Sequence, residues 1–306
     1  MNTGNDKLKH VKVSMMNAIH DLPVLVARDE GFFNDEGLEV EILTTPGSGQ
    51  RKSDHQALRE SIFDRTMESL YDQGECDQFR MCEWGVMKRA VESIKDDNLR
   101  SAKIVALGSA MSSFAIIADP KSGIYEPEQL KNQQVAVSPF NGSHFTTLKM
   151  LEGFVKREEI QTTFAGTMKE RIDALQEGKV AAVSLFEPWI SVAEKMGLRV
   201  LIESHSTRSE AAGDVLDGPT LAKMFKAEAR AAEAIDANPE RYAHYLIDEA
   251  GGLLEPGELK LSRILNAPPE PYTRDRFDDN YQWTVNWGLV QEGATYENTV
   301  DNRAWQ

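Results

Sequence analysis

The stretch that decides the fold runs from Val135 to Leu151, VAVSPFNGSHFTTLKML. Val135, Ala136 and Val137 form a short apolar run of the kind a buried parallel strand uses. Ser138 to Gly142 breaks the run with Pro139, Asn141 and Gly142. Ser143 is a suitable helix N-cap, and Phe145, Leu148 and Leu151 follow at helical spacing. A helix that starts at the carboxyl end of a strand aims free N–H groups and the positive end of its dipole at whatever sits there. An anionic group of a small ligand fits that position, with His144 beside it in the first turn. An ordinary strand–helix turn carrying a surface histidine fits the same residues.

Working outward, the alternation recurs. Strands are expected at 11–16, 38–43, 77–81, 104–107, 162–165, 180–186 and 198–203, and helices at 22–30, 53–74, 86–94, 168–178 and 190–196. In the 168–178 helix, Ile172 and Leu175 are spaced as a buried face. Strands alternating with helices predict a parallel, doubly wound α/β architecture. The last third changes character: an Ala-rich helix over 219–237, a break at Asn238-Pro239, a second break at Pro268, Pro269 and Pro271, then helix through Trp283 and Trp287. The 44–52 segment, TTPGSGQRK, is a Gly/Ser loop whose GSG is too weak to read as a phosphate loop.

The chain has 306 residues, enough for two domains, and a net charge of −15 with pI about 4.9. That charge argues against nucleic acid and anionic lipid surfaces as partners. No apolar run approaches the roughly 18 residues a membrane span needs, so no membrane insertion is expected. The opening MNTGNDKLKHVKVSMM holds no signal-peptide core, which predicts a cytoplasmic chain as written; a leader trimmed from the sequence would make it periplasmic. Cys76 and Cys82 are the only cysteines and do not make a disulfide scaffold. CxxC, HExxH and GxxxxGK[ST] are all missing, and His20, Cys82 and His144 follow no metal-ligand spacing, so neither a metal nor a cofactor is expected.

Ile19-His20-Asp21-Leu22-Pro23 through Ala27-Arg28-Asp29-Glu30-Gly31-Phe32-Phe33, then Glu36-Gly37-Leu38-Glu39-Val40-Glu41, resembles the opening of periplasmic-type (type II) solute-binding proteins. The closer resemblance is to the branch with sulfonate-, nitrate- and thiamine-precursor-binding members. Gly123-Ile124 with Pro127-Glu128-Gln129-Leu130 and Val135-Ala136-Val137 resembles their second lobe, as do Gly178-Lys179-Val180-Ala181-Ala182 and Phe186-Glu187-Pro188-Trp189. Asn238-Pro239-Glu240, Trp287-Gly288-Leu289, Tyr296 and Val300-Asp301-Asn302 fit the tail. The resemblance covers nearly the whole chain, and the order of the motifs tells more than any one of them.

The resemblance implies a two-lobed α/β fold, its doubly wound lobes joined by a two-strand hinge near Ser112–Ala118 and Ser204–Thr207. Lobe one would be 1–111 plus 205–306, and lobe two 112–204. It implies a ligand in the inter-lobe cleft, at the carboxyl ends of strands. The converging loops would be Asn17–Asp21, Thr44–Gly49, Cys82–Trp84, Ser138–His144 and Glu187–Trp189. From these the expected ligand-binding set is Asn17, His20, Asp21, Trp84, Ser138, Asn141, Ser143, His144, Glu187 and Trp189. The implied function is capture of a small organic anion, aromatic, sulfonated or nitrogen-containing, for an ABC importer, with a permease as partner.

The alternative is a cytoplasmic enzyme on the same scaffold, acting on a small aromatic acid, with His20, Cys82 and Glu83 as catalytic residues. Relatives of that kind include a thiamine-pyrimidine synthase, an aryl-sulfinate desulfinase and a dihydroxyphthalate decarboxylase. The Phe79–Trp84 segment loosely resembles the decarboxylase strand-end loop. The desulfinase nucleophile falls at Ala18 here, and the synthase's cysteine-rich iron motif is missing. Cys82 reads equally as a nucleophile with a favoured thiolate or as a small buried hydrophobe. Glu83 and Glu187 read as general acid and base or as carboxylates stabilising helix starts. Trp84 and Trp189 read as stacking platforms or as core.

Overall fold

The computed structural model describes residues 8–44 and 66–306. Apart from Thr44, the loop expected over Thr44–Gly49 lies outside the described residues, as does most of the 53–74 helix. In chain order the main elements are β1 (Lys9–Met15), α1 (Ala18–Asp29), β2 (Leu38–Thr44), β3 (Gln78–Cys82), α2 (Glu83–Lys95), β4 (Lys103–Ala118) and β5 (Gln134–Ala136). Then come α3 (Gly142–Leu151), β6 (Gln161–Thr163), α4 (Met168–Gln176), β7 (Ala182–Phe186), α5 (Trp189–Lys195), β8 (Arg199–Ala212), α6 (Gly218–Ala237), β9 (Ile264–Asn266) and α7 (Arg274–Asn286).

The chain divides into two compact units. Unit 1 takes the chain up to Ala110, Thr207–Tyr242 and Asn266–Gln306; unit 2 takes Met111–Ser206 and Ala243–Leu265. The chain therefore changes unit within β4 and within β8, and again on either side of 243–265. That last segment, expected in lobe one, falls in unit 2. Ion pairs tie it to unit 2: Arg263 reaches Glu187 at 3.1 Å, Glu194 at 2.7 Å and Glu203 at 2.9 Å, and Lys260 reaches Glu194 at 2.6 Å.

In unit 1 the strand order is β2-β1-β3-β8-β4, and in unit 2 it is β4-β7-β5-β6. β1 runs parallel to β2 and β3, and β5 parallel to β6 and β7. The expected parallel arrangement does not extend to β8, antiparallel to β3, or to β4, antiparallel to β7. In each unit the reversed strand is the one that arrives from the other unit, so it enters without a crossover helix to set its direction. β4 also runs on through Gly108, where the sequence suggests a stop. A Cβ at Gly108 would meet Glu210 Oε1 at 2.6 Å, so this glycine makes room for a buried carboxylate rather than ending the strand.

β3 is buried at all five positions although it carries Gln78 and Arg80. Arg80 is held by Asp21 at 3.2 Å and Glu210 at 3.0 Å, with Glu228 at 3.7 Å, and Gln78 Nε2 donates to Glu210 at 2.6 Å. Burial and the neighbouring charge of Glu210 push the Glu228 carboxyl up, so it holds its proton well beyond the ordinary carboxylate range. In unit 2, Phe114, Phe145, Ile172, Leu185 and Ile190 are buried and fill the space between sheet and helices. The Phe114 and Phe186 rings meet edge-on at 5.7 Å.

Candidate anion-binding site

The loop after β5 is built by its own polar groups. Asn141, in extended backbone, caps α3: its Oδ1 accepts the Gly142 N–H at 2.5 Å. The helix thus starts before Ser143, and Asn141 rather than Ser143 is its cap. Asn and Ser are comparable caps, and here the Ser143 hydroxyl is used elsewhere. Ser143 Oγ accepts the Ser138 N–H at 2.9 Å and closes the loop. Phe140, with φ 55°, takes the left-handed conformation that turns the chain into the helix. Its N–H donates to His144 Nδ1 at 3.2 Å, which places the neutral imidazole's proton on Nε2. Burial lowers the His144 pKa, so the ring is neutral at pH 7.

Behind this loop lies a residue that sequence reasoning missed. Arg171, on α4, is fully buried. Its Nη1 donates to Ser184 O at 2.9 Å and Ser143 Oγ at 3.5 Å, its Nε to Gly166 O at 3.3 Å, and its Nη2 to Ser138 Oγ. All four acceptors are neutral, and no carboxylate among the described residues pairs with it. Burial alone pushes its pKa down to about 9, which still leaves it cationic at neutral pH. A buried charge without a counter-charge is unfavourable by several kcal/mol, on the order of what its loss from a pair costs. An anion bound against Ser138 and Ser143 would supply the missing charge. The signal was present in the sequence: Arg171 adjoins Ile172 and precedes Leu175 by four, on the face expected to be buried.

The other expected site residues fall into separate settings. Asn17 caps α1, its Oδ1 accepting the His20 N–H at 3.1 Å. His20 is buried, and burial together with the Arg208 charge holds its pKa well below the usual value. Asp21 accepts from the Met16 N–H at 2.9 Å and from Arg80 at 3.2 Å, so its carboxylate is used inside unit 1. Burial pushes the Cys82 thiol up to about 11, and a protonated thiol is not a nucleophile. Glu83 starts α2 and accepts from Arg276 Nε at 2.6 Å, Asn280 Nδ2 at 2.8 Å, Tyr272 Oη at 3.1 Å, and the Thr207 hydroxyl and Arg276 Nη2. Trp84 donates to Asn280 Oδ1 at 3.0 Å and packs on Trp283 at 5.6 Å. Glu187 is fully buried between Ser191, whose hydroxyl donates at 3.0 Å, and Arg263 at 3.1 Å; burial raises its pKa and these partners oppose the rise. Trp189 is the half-buried first residue of α5. Ser138 and Ser143 are thus brought onto Arg171, with Asn141 and His144 in the same loop, whereas Asp21, Glu83 and Glu187 are engaged by arginines of their own units. Among the described residues no group of three or more His, Cys, Asp or Glu side chains is arranged to hold a metal ion.

No family model matches the chain, and no curated protein matches it. Solved structures do. The alkanesulfonate-binding protein SsuA from Xanthomonas axonopodis pv. citri, bound to MOPS, superposes with a TM-score of 0.67 at 13% identity, covering 94% of this chain and 96% of that one. The ligand-binding component of an ABC-type import system from Staphylococcus aureus, with zinc bound, gives 0.68 at 13% identity over 97% and 98%. The desulfurization enzyme DSZB gives 0.62 at 11% identity over 97% of each chain. This chain has the periplasmic-binding-protein fold. At these identities the likeness speaks for the backbone and not for the ligand. The periplasmic-binding-protein fold explains why the loop after β5 is where the polar groups gather: helices begin there, at the carboxyl ends of parallel strands.

Proposed function

We propose that this protein is a substrate-binding protein that captures a small organic anion, with the Ser138–His144 loop of unit 2 as the seat of the anionic group. The observation that carries this reading is Arg171, a fully buried guanidinium that faces only neutral oxygens among the described residues, directly behind Ser138 and Ser143. The start of α3 adds a positive dipole end at the same place. Solved neighbours named as a sulfonate-binding protein and as the ligand-binding component of an ABC-type import system support the role, and with it an ABC permease as the partner and a periplasmic location. The catalytic alternative, acting through His20, Cys82 and Glu83, draws no support from a protonated thiol and a carboxylate already filled by donors.

Calorimetric titration of the purified protein with a panel of small carboxylates, sulfonates and nitrate tests the proposal. One-to-one binding to at least one anion, with the ligand recovered unchanged, is the expected result. Heats of dilution across the whole panel, or consumption of the ligand with release of carbon dioxide or sulfite, would overturn it.

A further inference from the structure

Phe140 holds a backbone conformation that phenylalanine seldom takes. Its φ of 55° lies in the left-handed region, and among the described residues the other positive-φ positions are glycines and Asn132. Asn141, a residue better suited to that conformation, stands next to it and is extended instead. The loop thus places its left-handed turn on a bulky side chain, with an asparagine and a glycine one and two places on. Such a conformation persists where its surroundings hold it. Here His144 does so: its Nδ1 accepts the Phe140 N–H at 3.2 Å, and the two rings meet edge-on at 5.8 Å. Single exposed apolar side chains are ordinary on protein surfaces. The left-handed backbone beneath this one, beside the proposed anion seat, sets it apart.

Phe140 is 54% exposed, and Phe164, directly after β6, is 40% exposed. β5 and β6 pair Ala136 with Thr163, and the Val137 N–H donates to Thr163 O at 2.9 Å. One step further in that register, Phe164 stands at the carboxyl edge from which the Ser138–His144 loop leaves. Two large apolar rings are therefore presented at the edge that carries the seat.

Resting on the anion-binding reading above, we propose that Phe140 is a stacking platform for the ligand, and that the ligand is an aryl anion with its ring attached directly to a carboxylate or sulfonate. Phe140 is two residues from Ser138, so their Cα atoms are at most about 7 Å apart. A single ring bearing the anionic group is of that length, so a ligand seated on Ser138 and Ser143 reaches Phe140 without a linker. Aromatic pairs gain from offset or edge-on contact at centroid separations of about 4.5–7 Å, beyond the area they cover, and an alkyl group gains only the area. Phe140 sets specificity, whereas Arg171 and the serines recognise charge. His144 is a positioning residue, its lone pair fixing the turn that carries the ring.

The test is calorimetric titration of the full chain with ligands that share an anionic group: benzenesulfonate against methanesulfonate, and benzoate against cyclohexanecarboxylate. Benzenesulfonate should bind at least about tenfold more tightly than methanesulfonate. Benzoate should bind at least about threefold more tightly than cyclohexanecarboxylate, which covers similar area without a π face. Phe140→Gly suits the left-handed turn and removes the ring, so it should bring the benzoate ratio to about one and cut the benzenesulfonate ratio at least about threefold. Phe140→Tyr keeps the ring and should keep both ratios. Equal or reversed binding within either pair, or ratios that Phe140→Gly leaves as they were, overturns the platform and leaves the anion-binding reading standing. Failure of all four ligands while nitrate binds overturns the platform alone, and failure of the whole anion panel overturns both.

Discussion

Arg171→Met removes the charge behind the proposed site while keeping an unbranched side chain of similar reach. In the structure the guanidinium touches the hydroxyl oxygens of Ser138 and Ser143. An anion bound on the far side of those hydroxyls would sit about two hydrogen bonds away, roughly 5 Å. At that distance and an effective dielectric of about 20, the charge–charge attraction is about 3 kcal/mol. Each 1.4 kcal/mol is about tenfold in affinity, so the variant should bind about a hundredfold more weakly. The free protein should lose less stability than its broken bonds alone would cost. It loses donors to Gly166 O and Ser184 O, worth about 1–3 kcal/mol each when buried acceptors are left bare, but it is also relieved of burying an uncompensated cation. The assay is calorimetric titration with whichever anion the panel identifies, alongside urea denaturation of the ligand-free variant. Arg171→Lys, which keeps the charge and loses the planar fork, should fall between wild type and Arg171→Met. A folded Arg171→Met protein that binds within about threefold of wild type would refute the electrostatic argument.

Three further outcomes follow from the buried groups of unit 1. Glu83→Gln places an amide NH2 among the donors from Arg276, Tyr272, Asn280 and Thr207 and should lower stability by about 2–4 kcal/mol, with the half-exposed Arg276 keeping the loss below that of a fully buried pair; an unmoved urea midpoint would show that the carboxylate is not the anchor it looks to be. The Cys76 and Cys82 thiols are both pushed up to about 11 by burial, so stability is intact below the unfolded thiol pKa and declines as pH rises from there toward 11. Native protein at pH 8 should leave an aromatic disulfide reagent unreduced until urea is added, and rapid reaction of either thiol without denaturant would contradict their burial. His20 stays neutral in the folded state, so above about pH 6.5 it contributes nothing, and below that the unfolded chain takes up a proton the native state refuses, which lowers stability by up to about 1.4 kcal/mol per pH unit. His20→Leu should flatten the loss of stability between pH 6.5 and 5, measured by urea denaturation, and an equally steep loss in both proteins would show that His20 is not its source.

The order of strands and helices was legible because it depends on local pattern. Val135–Val137 is apolar whatever surrounds it, and Pro, Asn and Gly break a strand in any context. The strand–turn–helix reading of Val135–Leu151, the position of Asn141, Ser143 and His144 at the start of α3, and the expectation of an anion there all come from that pattern. The directions of β4 and β8 were not legible, because a strand's partner is a long-range choice that its own residues do not encode. Nor was the fate of the ionisable groups. Asp21, Glu83 and Glu187 look alike in sequence as carboxylates at element ends, and only folding brings Arg80, Arg276 and Arg263 to them from distant parts of the chain. Cys82 and His20 read as reactive until burial fixes them as neutral. Arg171 is the reverse case. The sequence places it on the inward face of a helix, but only the tertiary structure decides that what waits there is two serine hydroxyls and two backbone carbonyls, with no carboxylate among the described residues to balance its charge.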